Sequence, residues 1–200
     1  MKSYHRYVFD QKKRRLVGRF EDMYRAEDKT GFDSWHERDL RMLRKRLSRE
    51  ILSAYNFERV LEIGCGKGTF TQCLKRENNY VLAIDLSPTA VRKARETFPD
   101  IDFRVMDAET AARDEEKFDL VVIMAALAYI KPWRRILDAL SRKTRYLYVA
   151  EYIPPRPIGC VKSGAQLLAA IRRKYDVRHR VVLDEEHHLI FAETRTQQLN

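Results

Sequence analysis

Hydrophobic residues along this chain alternate between short continuous runs and stretches with helical spacing. The continuous runs, which are typical of strands, are residues 59–63, 80–85, 101–106, 118–124 and 145–152. The helical segments between them are residues 69–76, 88–97, a short piece at 109–114, and 132–140. Because the strands are apolar on both faces, we expect helices to cover both sides of a parallel sheet. The alternation of strand and helix predicts an α/β, doubly wound fold.

The beginning of the chain departs from this alternation. Residues 1–33 are charged and aromatic with weak periodicity, which favours an N-terminal arm or lid that docks onto the rest of the chain. Ser34, with Glu37 three residues later, forms a capping box before an apolar stripe at helical spacing, and this predicts a helix from Ser34. We therefore divide the chain into the arm, 1–33, and a single domain, 34–200.

The end of the chain also changes character. A proline-rich loop at 154–159 precedes a predicted helix at 165–174. Two strand-like runs, 177–183 and 187–193, follow and are separated by the turn-like residues 184–186. This is the pattern of a hairpin. The predicted sheet is therefore mostly parallel, with one antiparallel C-terminal strand.

The formal net charge of +10 is concentrated in one quarter of the chain. Residues 131–180 contain thirteen Lys and Arg against three acidic residues. The interpretation we favour is a solvated helical face. The alternative is contact with an acidic partner, such as nucleic acid, a phosphorylated substrate or an anionic membrane surface. No RNA-binding motif of interleaved aromatic and basic residues accompanies the charge.

The chain offers no signal for a metal site, a disulfide framework or a membrane span. Three cysteines without a C-x-x-C pair and five histidines without ligand spacing predict neither zinc nor disulfides. The longest apolar stretch, 120–130, is too short to cross a bilayer. Residues 1–20 lack the apolar segment of a secretory signal. The cysteine usage favours a reducing cytosol, so we expect a cytoplasmic protein.

Glycines at alternate positions follow the first predicted strand, in the segment Val-Leu-Glu-Ile-Gly-Cys-Gly-Lys-Gly. Glycines let the backbone approach a nucleotide where a Cβ would block it. The spacing is not the G-x-G-x-x-G of dinucleotide-binding enzymes, and Lys67 lacks the Ser or Thr of a P-loop. Asp85, twenty-one positions after Gly64, closes the next strand, where an acidic residue accepts ribose hydroxyls in nucleotide-binding α/β folds. The glycine spacing therefore disfavours a nicotinamide dehydrogenase.

These glycines, Asp85, the strand-ending Asp107 and the Phe-Asp-Leu strand at 118–124 stand in the order and spacing of one enzyme family. Residues 57–130 resemble the class I S-adenosylmethionine-dependent methyltransferases. The resemblance implies a Rossmann-like methyltransferase sheet. It also implies S-adenosyl-L-methionine as the cofactor and S-adenosyl-L-homocysteine as the product.

The resemblance also implies roles for individual residues. Asp85 would bind the ribose, Asp107 the adenine amine with the backbone of Ala108 beside it, and Glu62 would lie near the methionine end. Asp107 capping its own turn and Glu62 in a structural pair stay open as alternatives. Trp35 and Arg38 loosely match an aromatic and a basic residue in small nodulation-type N-methyltransferases, although a core Trp is the alternative. The predicted cofactor-binding residues are Glu62, Gly64, Cys65, Gly66, Asp85, Leu86, Asp107, Ala108, Met124, Trp35 and Arg38.

The residues that would act on the acceptor are less clearly marked. Many family members follow the fourth strand with Glu and then His, but Ala125 and Tyr129 stand here. Glu151, at the end of the fifth strand, is the candidate for acceptor binding or proton acceptance, because such folds place ligand-facing groups there. Tyr129 is a candidate for the acceptor pocket, with an aromatic packed under the sheet edge as its alternative. His36 is the third candidate.

The sequence therefore predicts methyl transfer to an N or O atom of a small-molecule or glycan-type acceptor, with an anionic acceptor open. One alternative is an RNA methyltransferase that uses the basic residues of 131–180. The other is a catalytically silent subunit that binds the cofactor. The oligomeric state is not predicted.

Overall fold

The computed structural model describes residues 5–195. Residues 1–4 of the predicted arm and residues 196–200 of the predicted domain lie outside this range. The arm contains α1 His5–Val8, a small antiparallel hairpin of β1 Phe9–Asp10 and β2 Arg15–Leu16, and α2 Phe20–Thr30. The remaining elements are α3 Leu43–Ser53, β3 Arg59–Ile63, β4 Tyr80–Asp85, α4 Pro88–Thr97, β5 Asp102–Val105, α5 Ala108–Arg113, β6 Phe118–Met124, α6 Trp133–Leu140, β7 Thr144–Tyr152, α7 Gly164–Arg172, β8 Tyr175–Leu183 and β9 His187–Thr194.

Seven strands of the described chain form one sheet in the order β5-β4-β3-β6-β7-β9-β8. The five from β5 to β7 are parallel, while β9 is antiparallel to both of its neighbours. Helices α3 and α4 cover one face, and α5, α6 and α7 cover the other. The doubly wound, mostly parallel fold with one antiparallel C-terminal strand is confirmed. That strand lies inside the sheet, because it pairs with β7 and leaves β8 at the edge.

The strands β3, β4 and β6 and the helix α4 have the predicted bounds. Their signals are local: buried apolar runs, and for α4 the pair Ser87-Pro88 at its start. The predicted helix over 69–76 is wrong in extent, since the structure has only a 3-10 turn at Thr71–Cys73.

The helix predicted from Ser34 is wrong, because α3 begins at Leu43. Residues 34–42 form turns instead. The carboxylate of Asp33 accepts the backbone N–H groups of Glu37 and Arg38, each at 3.0 Å. The side chain of Glu37, which the capping box would hold at a helix start, reaches Tyr24 and Lys67. Tertiary contacts therefore outweigh the local helix signal.

The arm packs against the domain through α2, a helix that its weak periodicity did not predict. Val8, Met23 and Tyr24 are buried with Ala90 of α4. The carboxylate of Glu21 accepts the hydroxyl of Ser87 at 2.5 Å and the backbone N–H of Thr89 at 3.1 Å. The division at residue 33 stays a prediction, but the described part of the arm is docked on the start of α4.

Ser87 both caps α4 and anchors the arm, so Ser87→Ala should destabilise the protein more than loss of an ordinary cap. Its Oγ accepts the N–H of Ala90 at 3.1 Å and donates to Glu21. We expect Ser87→Ala to cost about 2 kcal/mol in urea unfolding. Ser163→Ala, which removes only the cap of α7 through the N–H of Gln166, should cost about 1 kcal/mol. Equal losses would contradict the anchoring role.

Candidate cofactor and acceptor site

A cavity of about 660 Å³ opens at the C-terminal ends of β3, β4, β6 and β7. The chain reverses its winding between β3 and β6, and ligands of open α/β sheets bind outside the strand ends at such a switch point. The arm and the turns that follow it contribute one wall of the cavity. We call this space the cavity below.

The glycine loop after β3 forms the floor of the cavity. Gly64 and Gly66 have φ of +79° and +55°, which is the left-handed region that favours glycine. Asp85 Oδ2 accepts the N–H of Gly66 at 3.0 Å, and Oδ1 accepts that of Ser87 at 2.9 Å. Burial raises the pKa of Asp85, and these two N–H groups oppose the shift. The carboxylate is thereby fixed at the end of β4 beside the loop.

Glu62 lines the cavity from inside β3 and is only 2% exposed. Thr71 Oγ1 donates to its Oε2 at 2.5 Å, whereas Oε1 makes no hydrogen bond with residues 5–195. Burial raises the pKa of Glu62 to about 7. A desolvated carboxyl with one unpaired oxygen at a cavity wall fits a cationic ligand group.

Glu37 and Tyr24 close over the glycine loop, and the sequence interpretation missed both. Glu37 Oε1 accepts the hydroxyl of Tyr24 at 2.8 Å, and Oε2 accepts the N–H of Lys67 at 3.0 Å. Burial raises the pKa of Glu37 to about 7. Lys67 Nζ pairs with Glu27 at 2.8 Å. Residues 37 and 67 are thirty positions apart, so no local spacing signals the contact.

An aromatic cluster around Tyr129 covers part of the cavity. The Tyr129 ring lies 5.2 Å from that of Phe20 and 5.8 Å from those of Phe9 and Trp35, measured between centroids. Burial, and then the charge of Glu151, raises the pKa of the Tyr129 hydroxyl. Because three of these rings come from residues before α3, the cover is built from the N-terminal part of the chain.

Glu151 is 4% exposed and lines the cavity at the end of β7. Its Oε2 accepts the N–H of Ala128 at 3.2 Å, within the 3-10 turn Leu127–Tyr129. Burial raises the pKa of Glu151 to about 8. The carboxyl therefore supports the turn that carries Tyr129, and it is largely protonated at neutral pH.

Most of the predicted site residues meet at this cavity. Those that line it are Trp35, His36, Glu62, Gly64, Cys65, Gly66, Asp85, Leu86, Ala108, Met124, Tyr129 and Glu151. The lining residues that the sequence interpretation did not assign to the site include Phe20, Tyr24, Ser34, Glu37, Arg44, Met106 and His187. Ser34 Oγ is buried there without a hydrogen-bond partner among the described residues, which also fits a polar ligand.

Two predicted residues do not line the cavity. Asp107 is exposed, and its Oδ1 accepts the N–H of Thr110 at 2.6 Å as the cap of α5. Arg38 is also exposed and donates to the carbonyl of Gly31 at 2.9 Å. The capping alternative for Asp107 is thus present in the structure, and Arg38 is turned away from the predicted cofactor.

The basic residues of 131–180 lie on outer surfaces. All except the buried Lys143 are exposed, and none of them lines the cavity. Several pair with acids on the surface, as Arg173 does with Asp138. This arrangement favours a solvated face over a nucleic-acid track.

Between residues 5 and 195, no three or more His, Cys, Asp or Glu side chains are grouped so as to hold a metal ion. Cys65, Cys73 and Cys160 are free thiols. In the same part of the chain, no helix has the length and apolarity needed to cross a bilayer.

Comparison with known proteins identifies a methyltransferase domain in the chain. Residues 60–146 match the family model described as a methyltransferase domain. The chain is 36% identical over 73 residues to the putative methyltransferase 235L of Invertebrate iridescent virus 6, covering 36% of this chain and 27% of the relative. It is 35% identical over 89 residues to the ubiquinone biosynthesis O-methyltransferase of Xanthomonas oryzae pv. oryzae, covering 42% and 37%. The matched region thus spans well under half of these curated relatives.

Solved structures share the fold. The N-methyltransferase NodS from Bradyrhizobium japonicum WM9, in complex with S-adenosyl-L-homocysteine, superposes with a TM-score of 0.68 at 20% identity, covering 86% of this chain and 98% of that one. The PH0226 protein from Pyrococcus horikoshii OT3 gives 0.68 at 15% identity, covering 98% and 100%. At these identities the likeness shows the fold.

The closure of the arm over the glycine loop predicts a difference between two glycine substitutions. Gly31 and Gly66 both have positive φ, so Ala at either position strains the backbone by about 1 kcal/mol. A Cβ on Gly31 meets nothing within 4 Å, whereas one on Gly66 would lie 2.8 Å from Glu37 Oε1 and from the Tyr24 hydroxyl. We expect Gly66→Ala to lose about 1–3 kcal/mol more than Gly31→Ala in urea unfolding. Similar losses would mean that Glu37 does not hold this position.

Proposed function

We propose that this protein, in which residues 60–146 form a class I S-adenosylmethionine-dependent methyltransferase domain, methylates an N or O atom of a small-molecule or glycan-type acceptor. The observation that carries the proposal is the pair of fixed carboxyl groups, Glu62 and Asp85, beside the glycine loop. Neighbours of the same fold solved with S-adenosylhomocysteine or S-adenosylmethionine support this cofactor.

The cavity residues suit the parts of that cofactor. Asp85 keeps lone pairs for the ribose hydroxyls after accepting two backbone N–H groups. The unpaired oxygen of Glu62 would accept a hydrogen bond from the amino group at the methionine end of the cofactor. Leu86, Met106 and Ala108 offer apolar surface for adenine. Asp107 as an adenine ligand stays a prediction, because its Oδ1 is already used as a cap.

Methyl transfer asks the protein mainly for alignment and for exclusion of water. When bound, S-adenosylmethionine supplies an electrophilic methyl group. Phe9, Phe20, Trp35 and Tyr129 would exclude water from the acceptor end of the cavity. Glu151, which lines the same end, would accept the proton that a hydroxyl acceptor must lose.

Two comparisons support a small acceptor. Among the similar proteins, NodS is described as an N-methyltransferase and the Xanthomonas relative as an O-methyltransferase of ubiquinone biosynthesis. The exposed basic residues of 131–180 stay outside the cavity, which weakens the RNA alternative.

Radiolabelled methyl transfer from S-adenosylmethionine into a fractionated cell extract tests the proposal. We expect label in the small-molecule or glycan fraction. Label in RNA would overturn the proposed acceptor class. An absence of label, together with measurable cofactor binding, would instead favour a catalytically silent subunit.

Asp85→Asn should weaken binding of S-adenosylhomocysteine about 10- to 100-fold, because an amide cannot replace a carboxylate that accepts from several donors. Asp119→Asn is the matched control. Asp119 Oδ2 also accepts two backbone N–H groups, those of Glu58 and Arg59 at 2.8 and 2.9 Å, but the residue does not line the cavity. Isothermal titration calorimetry should show Asp119→Asn near wild type. Equal losses would indicate a general effect on folding.

If Glu151 accepts the acceptor's proton, kcat/KM should rise with pH through an apparent pKa of about 8. The carboxyl is protonated below this value because burial raises its pKa, and only the ionised form can act as a base. Glu151→Gln should remove this rise and lower kcat/KM about 10²- to 10⁴-fold. The exposed Glu185→Gln, outside the cavity lining, should keep the wild-type profile. An unchanged profile in Glu151→Gln would exclude the role.

A further inference from the structure

Lys67, in the glycine loop between Gly66 and Gly68, does not line the cavity. Its side chain is 15% exposed and lies against the N-terminal part of the chain instead. Nζ pairs with Glu27 Oε2 at 2.8 Å and with Asp33 Oδ1 at 3.6 Å. The cofactor contacts of the glycine loop do not account for this cation, which connects the loop to two acids that precede α3.

Residues 31–42 connect α2 to α3 and form turns without a helix or a strand. We call this segment the strap. The strap residues that line the cavity are Ser34, Trp35, His36, Glu37 and Met42. Glu37 Oε2 accepts the backbone N–H of Lys67 at 3.0 Å, so the strap is held directly on the glycine loop. The strap is therefore a wall of the cavity that is fastened to its floor.

The charges around Lys67 favour its cationic form. Burial lowers the pKa of Lys67, but the carboxylates of Glu37 and Glu27 outweigh this effect, and the net shift is upward. The side chain of Glu27 is itself only 3% exposed, and its Oε1 accepts the N–H of Ser34 at 2.8 Å. A buried charge that loses its partner is costly, so the pair resists separation. One buried ion pair thus ties the loop to the strap.

The anchors of α2 on α4 lie apart from these contacts. Asp28 forms ion pairs with Arg92 and Lys93, and none of these three residues lines the cavity. Gly31, with φ of +68°, ends α2 and separates its anchors from the strap. In the described part of the chain, the polar contacts between the strap and the glycine loop all involve Lys67. Breaking them frees the strap from the loop while α2 stays docked.

We propose that Lys67 is a positioning residue that latches the strap over the glycine loop, and that release of this latch opens the cavity for exchange of the cofactor. Lys67, Glu27 and Asp33 lie outside the cavity lining, so a bound cofactor has no need to displace them. The latch then closes the loaded and the unloaded protein alike, and its loss accelerates entry and departure together. The inference rests on the proposed function, because it assigns the cavity to that cofactor.

Stopped-flow measurement of S-adenosylhomocysteine binding to the full chain tests the latch, with the fluorescence of Trp35 in the cavity wall as the signal. The test variant combines Lys67→Met with Glu27→Gln, which removes both charges and leaves neither buried alone. We expect kon and koff each to rise about tenfold or more, while Kd stays within about threefold of the wild-type value.

Two further variants show whether the effect belongs to this ion pair. Lys67→Arg alone keeps a cation opposite Glu27 and should keep both rate constants near wild type. Lys93→Met is the matched control, because it removes an ion pair between α4 and Asp28 of α2 that lies outside the strap. It should also leave kon and koff unchanged.

Hydrogen exchange tests the latch without any ligand. The N–H groups of Glu37 and Arg38, which Asp33 binds, should exchange about tenfold faster in the double variant. The N–H of Ala90, which Ser87 holds at the start of α4, should exchange as in wild type and so show that the fold is intact. A comparison in wild type needs no variant: in the loaded protein, the strap N–H groups must open at least as fast as S-adenosylhomocysteine leaves.

The outcomes separate the latch from the proposed function. Unchanged rate constants in the double variant, or a change in only one of them, would overturn the latch. Release of S-adenosylhomocysteine from wild type faster than the N–H of Glu37 opens would overturn it as well. If wild type binds no S-adenosylhomocysteine, the proposed function fails, and the exchange of the strap N–H groups alone decides whether Lys67 holds the strap.

Discussion

The carboxylate of Asp85 is the interaction on which the site depends. It accepts the N–H of Gly66 and the N–H of Ser87, and so ties the glycine loop to the end of β4 and to the start of α4. Ser87 in turn binds Glu21, which docks the arm. One carboxylate thus links the shape of the loop, the direction of α4 and the position of the N-terminal wall. We expect a substitution of Asp85 to alter all three of these features.

The N-terminal part of the chain is a component of the site. Glu37 and Tyr24 fill the space over Gly66, and three aromatic rings from this part surround Tyr129. The core sheet alone would leave the glycine loop open to water. The central β-α-β segment therefore provides the cofactor floor, while the chain before α3 decides how enclosed the acceptor end becomes.

Sequence reasoning succeeded where the signal is local. Buried strands are recognisable in the sequence as apolar runs, and Ser87-Pro88 marks the start of α4. The parallel core and the glycine loop could therefore be predicted. It failed at Ser34, where the capping box is overridden by Asp33 and by the distant contacts of Glu37. Arg44 could not be recognised as a cavity residue either. Which of many arginines lines the cavity follows from tertiary packing.

The central claim is that Glu62, buried and with one unpaired oxygen, binds the amino group of the cofactor. The protonation of Glu62 provides a test of this claim. In the cofactor-free protein the raised pKa favours protonated Glu62. Its contribution to stability is therefore present below about pH 4.5 and is lost as pH rises through about 7.

Proton release on binding is the most direct measurement. At pH 7, titration of S-adenosylhomocysteine in buffers of different ionisation enthalpy should show release of about half a proton, because Glu62 ionises as the amino group binds. Glu62→Gln should lose that release. Binding without proton release in wild type, or with equal release in Glu62→Gln, would contradict the account.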